Sequence, residues 1–381
     1  MNIKRILRDY SSLKEPLLFG RYITNKDIEK CFKKLRKIKV EVIGNSVENR
    51  PIYGIKVGDG SIKILMWSQM HGNESTTTKA LFDCLNLFES KNELSKNILE
   101  NCTLYIIPIL NPDGSQYYTR LNANKVDLNR DAQDLSQPES KVLRSKFNDF
   151  MPDYCLNLHG QRTIYGVGDT GKSASMSFLS PSQDEKRSIT VNREKAMSII
   201  SSINEALQDL IPESIARYDD RFDLNCVGDT FQSLGIPTVL YEAGHVNNDY
   251  NREEIRESVF ISLLTGLSVI ANGINILNAK DYFKIPENTK SFYDIIIRNA
   301  KIIPEDEMIV DIAIQYEEVL NNEKLIFKPK IEVISNLDEY FGHKEYDAEG
   351  EIIKSVDKIP LEVAREIDFV LIKNAKIALK P

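Results

Sequence analysis

The chain has 381 residues, 42% hydrophobic and 28% charged, the composition of a folded protein rather than a disordered, collagen-like or disulfide-stapled one. At roughly 150 residues per domain, that length predicts two domains with room for a large core. Lys and Arg total 49 against 56 Asp and Glu, a formal net charge of −7, which argues against a surface built to bind phosphates, so no nucleic-acid partner is expected.

In chain order, residues 1–15 carry no apolar stretch of signal-peptide length. Residues 39–43 and 52–57 read as strands around a turn at Glu48-Asn49-Arg50-Pro51, and 62–70 as a third. A helix is predicted over 74–89, with Ala80, Leu81, Cys84, Leu85, Leu87 and Phe88 apolar. Residues 103–110 are a continuous apolar run, as in a strand buried on both faces, ending at the turn Asn111-Pro112-Asp113-Gly114. Helix 139–150, strand 154–158, helix 191–210, strand 238–241 and helix 252–276 complete an alternation that predicts an α/β sheet covered on both faces.

The polar, glycine-bearing stretch 163–188 is expected to be a long loop beside a site. The apolar segment 258–277 contains Ser262, Thr265, Ser268, Asn272 and Asn275, costly in a bilayer, so it is read as a buried helix and no membrane span is expected. Short β-branched segments at 294–298, 308–314 and 324–334 predict a small β-rich domain over 280–381, following a larger unit over 1–279. The five cysteines are odd in number and form no CxxC pair. Free thiols of a reducing compartment explain them best, and the expected location is cytoplasmic.

Four places put chemically capable side chains at the C-terminal end of an apolar strand, the edge where open α/β sheets gather ligands. His71 and Glu74 stand three apart where the third strand gives way to a helix. His159 ends another strand in Cys155-Leu156-Asn157-Leu158-His159-Gly160. Together they form a His₂Glu set of the catalytic zinc type with one position open. A salt bridge is the ordinary fate of any one of them, but two of only four histidines ending apolar strands beside glycine is not explained by folding alone. Glu242, in Tyr241-Glu242-Ala243-Gly244-His245, has the chemistry of a general base beside a metal-activated water; alone it reads as a surface carboxylate. Arg120 suits an oxyanion. Asn129 with Arg130 suits a bidentate grip on a carboxylate, although Asp127 and Asp131 offer local pairing.

On His71-Gly72-Asn73-Glu74, Asn111-Pro112-Asp113-Gly114, Arg120, Val126-Asp127-Leu128-Asn129-Arg130, Leu158-His159-Gly160 and Tyr241-Glu242-Ala243-Gly244-His245, which span about residues 40–276, the chain resembles the zinc carboxypeptidases of the M14 type. The resemblance implies an α/β fold with a mixed central sheet. It implies that His71, Glu74 and His159 hold one zinc ion per chain and that Glu242 is the general base. Arg120 would polarise the scissile carbonyl, and Asn129 with Arg130 would hold the free carboxylate of a peptide substrate. Two departures stand out. The mobile tyrosine of many members falls near Arg221, with Tyr218 the closest tyrosine, and the role is assigned to neither. The position that sets side-chain preference falls near Gly228, where neither acid nor base stands. The C-terminal region occupies the place where some members carry a transthyretin-like β-sandwich.

The predicted activity is hydrolysis of the C-terminal amide bond of a peptide or peptide-like molecule. A same-fold zinc amidohydrolase acting on an acylated amino acid or cell-wall peptide would differ in what Arg130 binds. A non-catalytic zinc-binding relative would need neither Glu242 nor Arg120. His245 is expected to be a supporting group, His343 a surface-loop histidine, Asn111 to Gly114 the turn that aims the Arg120 loop, and Gln161 and Tyr165 candidates to line the cleft.

Overall fold

A computed structural model describes residues 3–381 apart from 37, 91, 247, 303–307, 356–359 and 374, with the backbone alone for 3–7 and 276–278. Helices α1 (Ile3–Leu13) and α2 (Asn25–Phe32) precede the sheet. Strands β1 (Lys39–Asn45), β2 (Pro51–Val57), β3 (Ile62–Ser68), β4 (Cys102–Ile107) and β5 (Tyr154–Gly160) follow, with helices α3 (Thr76–Glu89), α4 (Glu93–Asn101), α5 (Pro112–Tyr117) and α6 (Pro138–Phe150) among them. Next come β6 (Tyr165–Val167), β7 (Met176–Leu179), α7 (Val191–Leu207), β8 (Ile215–Arg217), α8 (Val227–Ser233), β9 (Thr238–Ala243) and α9 (Glu254–Ala271). The main sheet has eight strands in the order β1-β2-β4-β3-β5-β9-β7-β8. Its centre, β4-β3-β5-β9, is parallel; β1, β2 and β7 run antiparallel to their inner neighbours, giving the mixed sheet.

The alternation of a strand sends successive side chains to opposite faces. Ile64 and Met66 of β3, Leu104 and Ile106 of β4, and Leu156 and Leu158 of β5 enter one core with α3, α7 and α9. Leu65, Trp67, Tyr105, Ile107 and Cys155 enter a second with Phe147 of α6 and Phe231 of α8. Both faces are buried, which explains why β4 reads as one unbroken apolar run.

The stretch 163–188 is not the long loop expected. It contains β6 and β7, and β7 adds to the main sheet beside β9. Met176 and Phe178 are fully buried in the core while Ser177 donates to Asn288 Oδ1 at 3.0 Å. An available sheet edge and two apolar side chains in register override the polar composition. The apolar segment 258–277 is a buried helix only as far as Ala271, where Asn272 and Gly273 (φ +88) close it. Its hydroxyls are satisfied locally: Ser262 donates to Val259 O at 2.7 Å and Thr265 to Ile261 O at 2.8 Å. Among the described residues no helix is long and apolar enough to cross a membrane. All five cysteines are free, and all but Cys226 are buried.

After a 3-10 segment (Ile276–Lys284) the chain is β-rich. Strand β10 (Asn288–Lys290) pairs with β6. Strands β11 (Phe292–Ala300), β12 (Val310–Asn321), β13 (Lys324–Ser335) and β14 (Phe341–Asp347) form a sheet in the order β13-β12-β11-β14, and β15 (Lys354–Ser355), β16 (Phe369–Ile372) and β17 (Ala375–Ala378) form another. The three segments predicted from β-branched residues fall in β11, β12 and β13. These sheets share a core of Ile295, Ile297, Ile312, Ile314 and Val370, into which Tyr250 inserts from the loop before α9.

Candidate active site

The site lies where β3, β5 and β9 end. Beyond β3 the backbone turns through Gln69 in the left-handed region (φ +43), and the Gln69 side chain donates to Gly72 O at 2.8 Å. Gly72 is required by proximity, since a Cβ there would sit 1.9 Å from the Gly114 carbonyl carbon. This turn brings His71 back over Glu74. In the next strand His159 is the register partner of Glu242. The two therefore stand side by side on the face of the sheet that does not carry Leu158 and Tyr241.

His71, Glu74 and His159 each offer one ligand atom, all within 4.8 Å of one another. His71 Nδ1 lies 2.9 Å from Glu74 Oε1 and 3.1 Å from His159 Nδ1, and His159 Nδ1 lies 3.0 Å from Glu74 Oε2. Three lone-pair donors crowded this closely repel unless protons or a cation lie between them. The set therefore fits a divalent ion, and its two imidazoles and one carboxylate are ligands that zinc accepts. Burial lowers the His159 pKa, favouring the neutral ring that a metal needs. Burial also opposes charge on His71, but Glu74 and a hydrogen bond to Asp127 outweigh it and raise its pKa. Against the cost of burial, the two histidines hold the Glu74 carboxyl well below the usual range.

Asp127 is the residue whose importance the sequence understated. Its Oδ1 lies 3.1 Å from His71 Nε2, which turns Nδ1 towards Glu74, and its Oδ2 accepts from Arg120 Nε at 3.1 Å. Arg120 Nη1 also donates to Glu74 Oε1 at 3.2 Å. One carboxylate thus aims both His71 and the half-exposed Arg120. Its place in Val126 to Arg130 is the signal in the sequence, where local pairing with arginine is the ordinary fate of such a carboxylate. Asn111 caps α5, accepting from Gly114 N at 2.8 Å, so this motif shapes the backbone ahead of the Arg120 loop.

Glu242 Oε2 is buried with no hydrogen-bond partner among the described residues. Burial, then the neighbouring Glu74 charge, pushes its carboxyl well above the usual range. Asn129 is buried and accepts from Val227 N at 3.2 Å through its Oδ1, leaving its amide nitrogen to donate. Arg130 is half exposed, with Nε 3.2 Å from Asp223 Oδ2. Arg221 is exposed and paired with Asp219, whereas Tyr218 packs edge-on against Tyr165 at 5.4 Å and feels the Glu242 charge. Gly228 lies in the first turn of α8. The residue after it, Asp229, is a buried acid that burial pushes up to about 7.

His343 is not on a surface loop. It lies on β14, with Nε2 2.7 Å from Thr163 O, and it stacks on Phe292 and meets His245 at a ring separation of 4.4 Å. Pairing of β14 with β11 carries it inward. His245 is packed between His343 and Tyr250. Nothing local in the sequence marks Arg252. Its guanidinium donates to Ala243 O and Gln161 O, both at 3.0 Å, tying the end of β9 to the residue after β5.

A family model for zinc carboxypeptidases, the M14 peptidases, matches residues 32–256. The chain belongs to the zinc carboxypeptidase family. Among its relatives in that family, carboxypeptidase SOL1 of Arabidopsis thaliana is 34% identical over 163 residues, 36% of this chain and 33% of that protein. Human carboxypeptidase D is 25% identical over 171 residues, 38% of this chain and 12% of that protein. The matched stretches thus span a third or less of these relatives' own length. The fold is that of solved zinc carboxypeptidases. A metallo-carboxypeptidase from Burkholderia cenocepacia superposes with a TM-score of 0.52 at 18% identity, covering 66% of this chain and 70% of that one. Carboxypeptidase A from Helicoverpa armigera gives 0.52 at 17%, covering 71% and 81%.

Proposed function

We propose that this family member is a zinc-dependent metallocarboxypeptidase that hydrolyses the C-terminal amide bond of a peptide or peptide-like substrate. The observation that carries the reading is the convergence of His71, Glu74 and His159 on one point, with an unpartnered Glu242 carboxyl oxygen on the neighbouring strand. In this reading those three residues hold one zinc ion, which supplies Lewis acidity that acidifies water and polarises a carbonyl. Glu242 takes the proton from the attacking water and returns it to the departing amine, so the amide C–N bond breaks as the new C–O bond forms. A raised pKa suits a group that must both accept and return a proton, and a bound dication would draw it down again. Arg120, held by Asp127, stabilises the oxyanion. Asn129 and Arg130 bind the free carboxylate, Arg130 exchanging Asp223 for substrate. Residues 1–279 carry this machinery and residues 280–381 act as an accessory region.

Glu242→Gln tests the chemistry. The variant is expected to retain one zinc per chain by metal analysis while turnover falls by about 10²–10⁴-fold; undiminished turnover would remove Glu242 from the mechanism. Peptides with free and amidated C-termini test the substrate class. Cleavage of both at equal rates would favour the amidohydrolase reading, because Arg130 would then bind no terminal carboxylate.

A further inference from the structure

A cleft of about 310 Å³ adjoins the metal-ligand set, bordered by Glu74 and Arg120 but by neither Asn129 nor Arg130. If the terminal carboxylate sits at Arg130, the rest of the substrate must leave the site by another path, and this cleft begins at the reacting centre. Its far wall comes from outside the stretch that matches the family: Arg21 ahead of it and Tyr316 to Glu318 of β12 beyond it.

The charges in this cleft do not balance. Glu318 is committed, taking Arg21 Nη1 at 2.5 Å and Tyr118 OH at 2.7 Å. Glu317 faces Lys330 at 4.0 Å. Arg120 is paired with Glu74 and Asp127. Two cations remain. Arg252, 2% exposed, makes no ion pair among the described residues; it donates to two backbone carbonyls and its Nε has no partner. Burial, then the proximity of Arg21, lowers its pKa to about 10, so it is charged at neutral pH. Arg162 at the rim is exposed, and its side chain makes neither an ion pair nor a hydrogen bond among the described residues. Glu318 and Asp249 act on Arg252 only from beyond ion-pair distance, and a guanidinium with its fork free, as in Arg162, is built for a carboxylate.

We propose that the cleft selects substrates carrying an acidic group upstream of the scissile bond, bound by Arg162 at the rim over the buried charge of Arg252. This rests on the carboxypeptidase reading, since that reading sets which side of the cleavage point the cleft receives. The wall from β12 then makes the C-terminal sheet part of substrate selection. It also explains how a chain of net charge −7 attracts an anionic substrate, through a local field opposite to the global one.

The test uses zinc-loaded full-length protein and a set of blocked tripeptides with free C-termini that differ only in the residue before the scissile bond, or the one before that: Glu, Gln or Lys. Glu peptides are expected to exceed Gln peptides about five- to tenfold in kcat/KM, mainly through KM, with Lys peptides poorest. Arg162→Ala brings the Glu:Gln ratio close to one, Arg162→Glu inverts it, and Arg162→Lys restores part of it. Equal kcat/KM for Glu and Gln peptides, or a ratio that Arg162→Ala leaves unchanged, would overturn the inference while leaving the carboxypeptidase reading intact. Calorimetric binding of the same peptides to the Glu242→Gln variant separates the opposite case. Charge-selective binding there, combined with no turnover of any peptide by the unaltered protein, would sink the carboxypeptidase reading and uphold the acidic preference.

Discussion

At the scale of single residues, the site is organised by carboxylates in unequal settings. Two histidines hold the Glu74 carboxyl well below the usual range, burial and the Glu74 charge push Glu242 well above it, and His71 and Arg120 hold Asp127 low. Such divergence among neighbouring acids is what acid–base chemistry needs. Asp127 touches no proposed ligand atom, yet it orients His71 Nδ1 through the far side of the ring. Asp127→Ala is therefore expected to weaken zinc binding about 10–100-fold, read by competition against a chromogenic chelator. Asp127→Asn, which can still accept from Nε2, should fall between the two. Affinity unchanged in the alanine variant would show that His71 is oriented by packing alone.

At the scale of elements, register and close approach decide the geometry. The pairing of β5 with β9 sets His159 beside Glu242, and a slip of one residue would turn Glu242 to the face that Tyr241 occupies. Gly72→Ala should disrupt the β3–α3 turn because its methyl would overlap the Gly114 backbone. Loss of zinc binding together with several kcal/mol of stability is expected by denaturant titration, beyond the ordinary ~1 kcal/mol scale of a point substitution. A second element-level case is Asp294 on β11, which is buried and accepts from Tyr250 OH at 2.9 Å and Tyr316 N at 2.7 Å. Burial pushes its carboxyl up to about 6. Between about pH 4 and pH 6 the folded protein keeps a proton there that the unfolded chain releases. Its contribution to stability is therefore greatest below pH 4 and declines by roughly 3 kcal/mol as pH rises to 6. Asp294→Asn should gain stability relative to the parent as pH rises through that window, measured by unfolding at several pH values. A pH-independent difference would remove Asp294 from the account.

At the scale of the whole molecule, the C-terminal sheets are tied to the main sheet by buried polar links as well as apolar contact. Arg21, Glu318 and Tyr118 join the N-terminal segment, β12 and the loop after α5. Tyr250, His245 and His343 interlock the loop after β9 with β14. Removing one partner of a nearly buried ion pair leaves the other uncompensated. Glu318→Ala is expected to cost about 2–4 kcal/mol, a little less than for a fully buried pair because the side chain retains some exposure. The same variant should alter upstream peptide selection by releasing Arg21 into the cleft. A stability change within ~0.5 kcal/mol, the range of ordinary surface substitutions, would mean that β12 is held by apolar packing alone.

The sequence by itself determined the α/β class and the central strands, and it marked the three residues proposed to hold the metal. These are local signals: an apolar run the length of a strand, and a histidine or glutamate where that run stops. It also marked the β-rich character of the C-terminal third, since β-branched segments between turn residues need no tertiary context to be read. It did not reveal that β7 adds to the sheet, because whether a short polar-flanked segment becomes a strand depends on an edge supplied by residues 61 to 67 positions away, at β9. Nor did it reveal Asp127 as the group that aims His71, His343 as a packed strand contact, or Arg162 and Arg252 as cleft cations with no ion pair among the described residues. Charge compensation and burial are properties of three-dimensional neighbourhoods, and only the folded chain decides which carboxylate reaches which arginine.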